Sequence, residues 1–391
     1  MEGRRHKICF VTTTRADWGL LMPLARALRD EPSVDVQIVA ANMHLMERYG
    51  MTVDEIRSAG FTVDACVPMD VEGDDEASRV HAMARCLDGV ADALARLRPD
   101  MAVLLGDRYE MLAVASAAAV MLIPIVHIAG GEISEGAVDD SIRHAITKLS
   151  TYHLTATEPY RRRVIQMGEA PDRVVNTGAI GVWNAFNTPL LSAQELGRQL
   201  GIDFAASKVA VVTYHPVTTD SAVTPVDRVR AMLDALDAFP SLTYVITYPN
   251  NDARGEQIIA LLEDYAAARP GRVVLVRSLG MVRYQTLLSL ASLVIGNSSS
   301  GIVEAPSAGV PTVDIGIRQR GRLAAPSVIH CGDSTAEIEQ AIAEALSPRM
   351  QELAARRENP YYKPDTLGLM TRAVLDFARA LPAATKKFHD L

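Results

Sequence analysis

At 391 residues the chain exceeds the roughly 250–300 at which one hydrophobic core stops growing, so two domains are expected, each with a core of its own. Apolar residues make up 49% and charged residues 22%, which is ordinary for a globular protein and excludes the disordered and fibrous classes. A net charge of −8 gives no electrostatic reason for a nucleic-acid or anionic-membrane partner, so an anionic ligand needs a local basic pocket.

The N-terminus is basic (Arg4, Arg5, His6, Lys7), but the apolar run 8–11 breaks at once into Thr12-Thr13-Thr14-Arg15, too short for a signal-peptide core. Cys9, Cys66, Cys86 and Cys331 are scattered, with no C-x-x-C pair or other metal-ligand spacing. A reducing, cytoplasmic setting without a metal is therefore expected. The longest apolar stretch, 113–129, falls just short of the ~18–20 residues a membrane span needs and is interrupted by Pro124 and His127. It reads as a helix followed by a buried strand.

In chain order, residues 8–12, 34–40, 101–105 and 123–128 read as strands apolar on both faces, the pattern of a parallel sheet covered by helices. Helical patterns at 18–29, 76–97 and 109–121 lie between them. The rhythm restarts after Asn176-Thr177-Gly178 and a loop with Pro189. Strands are expected at 209–213, 242–247, 273–276, 293–295 and 312–315, with helices near 226–238, 255–268 and 284–291. The stretch 366–381 has helical periodicity and the tail 386–391 is polar. The alternation predicts an α/β protein of two Rossmann-like domains facing a cleft: 1–178, 179–365, and a final segment 366–391. Ligands of open α/β sheets sit outside the carboxyl ends of the strands, so residues that directly follow strands carry the information.

The first strand leads into Arg15-Ala16-Asp17, where a cation beside a helix N-terminus suits a phosphate; the competing reading is a solvated arginine with Asp17 as a cap. Asp107 and Arg108 follow Gly106 at the next strand end, Asp107 reading as an acid or base or as a cap for the helix after it. His127 is followed by Gly130-Gly131-Glu132 and then by Asp139-Asp140-Ser141-Ile142-Arg143-His144, which opens a helix. Glu132 and Asp139 thus join Asp107 at one sheet edge, while Asp140 reads as a complement to the helix dipole. In the second half, His215 before Pro216 and Asn250 after Pro249 sit on loops at strand ends. The segment Gly296-Asn297-Ser298-Ser299-Ser300-Gly301 follows a strand and opens a helix, which suits a diphosphate, with Glu304 placed for ribose hydroxyls. It matches neither a P-loop nor G-x-G-x-x-G, so ATP hydrolysis and NAD chemistry lose support.

Together, Arg15-Ala-Asp17, Gly106-Asp-Arg108, His127-Ile-Ala-Gly-Gly-Glu132, Asp139-Asp-Ser-Ile-Arg-His144, His215-Pro-Val-Thr-Thr-Asp220 and Gly296-Asn-Ser-Ser-Ser-Gly301 resemble the hydrolysing UDP-N-acetylglucosamine 2-epimerases, which make N-acetylmannosamine for sialic acid. The likeness runs over roughly residues 7 to 380. It implies a glycosyltransferase-B fold whose last helix crosses back onto the first domain, and a homodimer or homotetramer acting on a UDP-sugar to release UDP, without a cofactor. By the same resemblance Asp107, Glu132 and Asp139 are catalytic. Arg15, His44, Arg108, Arg143, His215, Asn250, Ser298, Ser299, Gly301, Glu304 and Arg318 contact the substrate. Many relatives carry a glutamate where this chain has Ala129, and some a serine where it has Gly19. The alternative substrate within the family is a UDP-2,4-diacetamido-2,4,6-trideoxyhexose on the way to legionaminic acid. The alternatives outside it are a glycosyltransferase and a non-catalytic nucleotide-sugar sensor.

Overall fold

The computed structural model describes residues 5–70, 72–217, 223–250, 252–381 and 386–391. Arg4, Asn251 and the 218–220 part of the His215 motif lie outside them.

Strands β1 (His6–Thr12), β2 (Val34–Ala41), β3 (Ala65–Val67), β4 (Met101–Leu105), β5 (Ile125–Ile128), β6 (Tyr152–Thr155) and β7 (Val174–Asn176) form a seven-stranded sheet in the order β3-β2-β1-β4-β5-β6-β7. Every pairing is parallel. A second sheet takes β8 (Lys208–Thr213), β9 (Leu242–Thr247), β10 (Val273–Val276), β11 (Leu293–Gly296), β12 (Thr312–Ile315) and β13 (Val328–Cys331), ordered β10-β9-β8-β11-β12-β13 and again parallel. Parallel neighbours need crossover connections, and the helices between the strands supply them, so each sheet is covered by helices.

The period of two is visible in the packing. Ala210 and Val212 of β8 join one core with Tyr244 and Ile246, while Val209 and Val211 join another with Val245 and Leu287. In the first sheet, Cys9 and Val11 pack with Val39, Leu104 and the helix Glu76–Leu97. β5 begins two residues later than the apolar run 123–128 suggests, because Leu122 turns the chain at φ 57 and Pro124 lacks the N–H a central strand donates.

The chain divides into two compact units. The first comprises Met1–Glu132, Asp139–Ile180 and Lys363–Leu391; the second, Ile133–Val138 and Gly181–Tyr362. In the first unit the helix Thr366–Arg379 lies against the helix Arg15–Arg29, and Phe377 stacks on Tyr152 with centroids 4.1 Å apart. Beyond it, Lys386 Nζ donates to Ser150 O and to the buried Glu169 carboxylate, both at 2.6 Å, and His389 N donates to Gly168 O at 2.9 Å. Among the described residues no helix is long and apolar enough to cross a membrane.

Strand order reverses between β1 and β4 in the first sheet and between β8 and β11 in the second. These are the switch points at which open α/β sheets bind ligands. Thr12–Arg15 and Gly106–Arg108 flank the first; Tyr214–His215 and Asn297–Ser298 flank the second.

Candidate active site

At the first switch point the turn after β1 is over-determined. Thr14 caps the helix Arg15–Arg29 by accepting from Asp17 N at 3.2 Å, and Asp17 accepts from the backbone N–H groups of Thr13 and Thr14, each at 2.9 Å. The Thr12 hydroxyl donates to Asp17 at 2.6 Å, so it can only accept from His44 Nε2–H at 2.9 Å; His44 Nδ1 then accepts from the Thr52 hydroxyl, also at 2.9 Å. Burial holds His44 below its ordinary pKa, in line with this neutral tautomer. The His44 ring is fully buried with both nitrogens engaged, and it braces the turn that carries Arg15.

After β4, Gly106 turns with φ 79 and Arg108, not Asp107, occupies the cap position of the helix Tyr109–Val120, without a capping bond from its side chain. Asp107 is instead gripped by Arg143 Nη2. Arg143 Nη1 donates to Glu132 O at 2.9 Å and to Asp140 Oδ1 at 3.1 Å. One guanidinium, 1% exposed, therefore ties together Asp107, Asp140 and the loop that carries Glu132, all within the first unit. The Arg143 side chain is buried and bonded to protein oxygens of the first unit. Asp139 opens the same helix, Asp139–Leu149, one residue before Asp140.

A neutral imidazole sits next to Gly106 in this cluster. His127 Nε2 lies 2.7 Å from Gly106 O, a carbonyl that can only accept, so Nδ1 accepts from the Thr147 hydroxyl at 3.2 Å. Complete burial pushes the imidazole down to about 3. Gly131 sits at φ 80, where a Cβ would lie 2.5 Å from Tyr160 O. Ala129, at φ 67, adopts a left-handed conformation without being glycine. Arg108 donates to Glu110 Oε1 at 3.0 Å, and that fully buried carboxylate also accepts from Asn42 Nδ2.

In the second unit, Gly296 ends β11 at φ 134, with room for no Cβ: one would sit 1.9 Å from Thr213 O. Asn297 then bridges the switch point, its Oδ1 accepting from His215 N at 2.7 Å and its Nδ2 donating to His215 O at 2.8 Å. His215 Nδ1 accepts from Asn250 N at 3.3 Å, so the neutral ring carries its proton on Nε2. Ser298 caps the short helix Ser299–Val303, and Ser299 is exposed. Arg318 Nη1 donates to Asn297 O at 3.2 Å, while its Nε is buried with no hydrogen-bond partner. Gln319 Nε2 donates to the same carbonyl at 2.8 Å.

Glu304 is half-buried beside Gly181, with its Oε1 accepting from Gln285 Nε2 at 3.0 Å, and burial pushes its carboxyl up to about 7. Gly301 is buried, and a Cβ there would lie 2.7 Å from Thr312 Cγ2. The missing side chain lets the short helix pack closely on β12. Sequence reasoning missed Glu110, Asn297 and Gln319 as organisers. For Asn297 a signal existed: an amide directly after a strand end, next to the serines that draw the eye.

The model of the UDP-N-acetylglucosamine 2-epimerase family matches residues 26–375. The GDP/UDP-N,N'-diacetylbacillosamine 2-epimerase (hydrolyzing) of Campylobacter jejuni is 37% identical over 325 residues, 83% of this chain and 84% of its own. The polysialic acid biosynthesis protein P7 of Escherichia coli is 33% identical over 98% of this chain and 97% of its own. The crystal structure of UDP-GlcNAc 2-epimerase from Neisseria meningitidis bound to UDP-GlcNAc superposes with a TM-score of 0.77 at 19% identity, covering 95% of this chain and all of that one, a likeness of fold.

Proposed function

Since the chain belongs to the UDP-N-acetylglucosamine 2-epimerase family, we propose that it is a hydrolysing 2-epimerase, converting a UDP-linked 2-acetamido sugar and water into UDP and the free sugar inverted at carbon 2. UDP-N-acetylglucosamine, giving N-acetylmannosamine, is the first reading. The similarity to the Campylobacter relative favours a second, a UDP-2,4-diacetamido-2,4,6-trideoxyhexose.

The chemistry explains the residue types. Carbon 2 has no adjacent carbonyl, so its proton is not acidic enough for simple removal and return. Coupling its loss to departure of UDP from carbon 1 solves this: a carboxylate takes the proton, the C1–O bond breaks, and a glycal with a C1–C2 double bond remains. Water then adds across that bond with the opposite configuration at carbon 2. Asp107 and Asp139 serve as the acid–base pair, Glu132 supports them, and Arg143 holds Asp107 and the Glu132 loop in place. Arg15 and Arg108 supply positive charge for the departing diphosphate. In the second unit, Ser298, Ser299, Arg318, His215 and Asn250 hold the diphosphate and uracil ends of UDP, and Glu304 accepts from the ribose. As the resemblance implies, the enzyme is read as a cytoplasmic homodimer or homotetramer.

The observation that carries this reading is the gathering of Asp107, Asp140 and the Glu132 loop around one buried arginine beside the first switch point. Incubation with the UDP-sugar in deuterated water, followed by NMR, tests it. Free 2-epimeric sugar with deuterium at carbon 2 is expected; UDP release with carbon 2 unlabelled and uninverted overturns it.

A further inference from the structure

Glu132 and Asp139 are the residues of the first unit on either side of a six-residue excursion, Ile133–Val138, that packs with the second unit. The excursion is tightly held there. Glu135 N donates to Arg320 O at 3.1 Å, and Ala137 N closes a turn on Ser134 O, also at 3.1 Å, with Ser134 and Ala137 both buried. Gly136 has no room for a side chain: a Cβ would lie 2.5 Å from Ile317 O and 2.6 Å from Arg318 Cα. Gly321, at φ 88, meets the excursion in the same way, since a Cβ there would lie 2.5 Å from Ile133 Cγ2. Backbones in such contact shift together, because close-packed interiors do not deform continuously.

The loop it packs on carries residues assigned above to UDP. Arg318 and Gln319 both donate to Asn297 O, and Asn297 in turn holds the His215 backbone and precedes Ser298. In the first unit, Arg143 donates to Glu132 O and grips Asp107, and Asp139 starts the helix that carries Arg143. The excursion does no chemistry, yet its two ends run directly into two of the proposed acid–base groups. A connection this short, with a turn inside it, has little slack. We propose that Ile133–Val138 is a positioning element, with Gly136 its contact point, that passes engagement of a nucleoside diphosphate at Arg318 to Glu132 and Asp139. Proton loss at carbon 2 then waits until the leaving group is held. Coupling of this kind is reciprocal, so a sugar seated at the acids also tightens the grip on UDP. The assignment rests on the 2-epimerase reading and supplies the link between its acids and its nucleotide loops.

The test follows backbone amide hydrogen exchange by mass spectrometry, with and without UDP. It uses the wild type, Gly136→Ala, and a variant with two glycines inserted between Ala137 and Val138. In the wild type UDP should slow exchange at 296–304 and at 139–149 alike. The insertion adds slack while keeping the Gly136 contact, so UDP should still protect 296–304 and no longer protect 139–149. Its kcat should fall at least about tenfold, and that of Gly136→Ala about 10²-fold, the cost of misplacing a catalytic group by about 1 Å. Calorimetric UDP affinity should stay within about threefold of wild type in both, the split between kcat and binding that a merely structural role would not give. If Gly136→Ala does not fold, the wild-type pattern and the insertion variant decide. UDP protection confined to the second unit in the wild type, or an insertion variant that keeps either wild-type kcat or the protection at 139–149, overturns the assignment. Protection at both segments without turnover of either UDP-sugar sinks the 2-epimerase reading and leaves the coupling standing. A wild type that does not bind UDP overturns both.

Discussion

Arg143 shows how much can depend on a residue that does no chemistry itself. Removing one partner of a buried ion pair leaves an uncompensated charge and costs about 3–5 kcal/mol, more than most surface changes. Arg143→Met and Asp107→Asn each leave the other partner unpaired, so both should lower the unfolding free energy by a few kcal/mol, with kcat down by about 10²-fold or more in each. Urea unfolding beside steady-state kinetics checks both, and an Arg143→Met variant with wild-type stability and kcat would contradict the positioning role. Glu304 makes a second prediction. With its carboxyl near 7, protonation removes an acceptor for ribose, so UDP should bind more weakly as pH falls below about 7, and Glu304→Gln should flatten that dependence in a calorimetric titration. The sequence displayed these residues as types and spacings. It could not show that Arg143 points inward or that both nitrogens of His44 are taken, because those are properties of the packed interior.

Elements were legible where they were long and apolar. β1, β2 and β4 stand in the sequence as runs buried on both faces, and the helix at Glu76–Leu97 as a sustained period of 3.6. The short strands β3, β6 and β7 were not, nor was β13, whose residues are partly or fully exposed. Strands this short carry too few residues for alternation to register, and their pairing is decided by the sheet they join. The helix starting at Arg15 rather than 18 could have been found from Thr14 and Asp17, a capping box. Backbone conformation at element ends makes the third prediction. Gly296→Ala forces a Cβ into Thr213 O and should destabilise by more than about 3 kcal/mol, while Ala129→Gly relieves a left-handed alanine and should be neutral or stabilising by up to about 1 kcal/mol. Thermal melts of the two variants should move apart.

For the whole molecule, the doubling of the α/β rhythm was visible in the chain. That the six residues Ile133–Val138 lodge with the second unit was not, since Glu135 N reaches Arg320 O across a long sequence gap. Stability against pH is a property of the whole chain, and several groups that lose solvent on folding contribute to it. His127 is neutral when folded, at about 3 against an ordinary 6.5, so only the unfolded chain gains its proton as pH falls from 6.5 to 3, and stability drops. Glu169, held at about 2 by His153, Lys148 and Lys386, removes stability in the same way between 4.5 and 2. Glu304 works in the opposite sense, its folded form taking up a proton between 7 and 4.5 and gaining stability as pH falls. His44 and His153, also held below 6.5 by burial, act in the same sense as His127. The wild type should therefore lose stability from 6.5 downward, with Glu304 offsetting part of the loss, and fall more steeply below 4.5. In Glu304→Gln that offset is gone, and the decline between 6.5 and 4.5 should be steeper. Urea unfolding at half-unit pH steps checks this, and identical profiles would contradict it.

The paired bonds between Asn297 and the His215 backbone have a chemical consequence for ageing. Asparagine followed by serine is prone to deamidation, and the aspartate formed cannot donate to the His215 carbonyl; it sets two anionic oxygens against a strand end built for an amide. Asn297 is fully buried, which shields it while the second unit stays folded. Stored protein should then gain one dalton at this peptide and lose UDP affinity at the rate of its own unfolding, a clock readable by mass spectrometry.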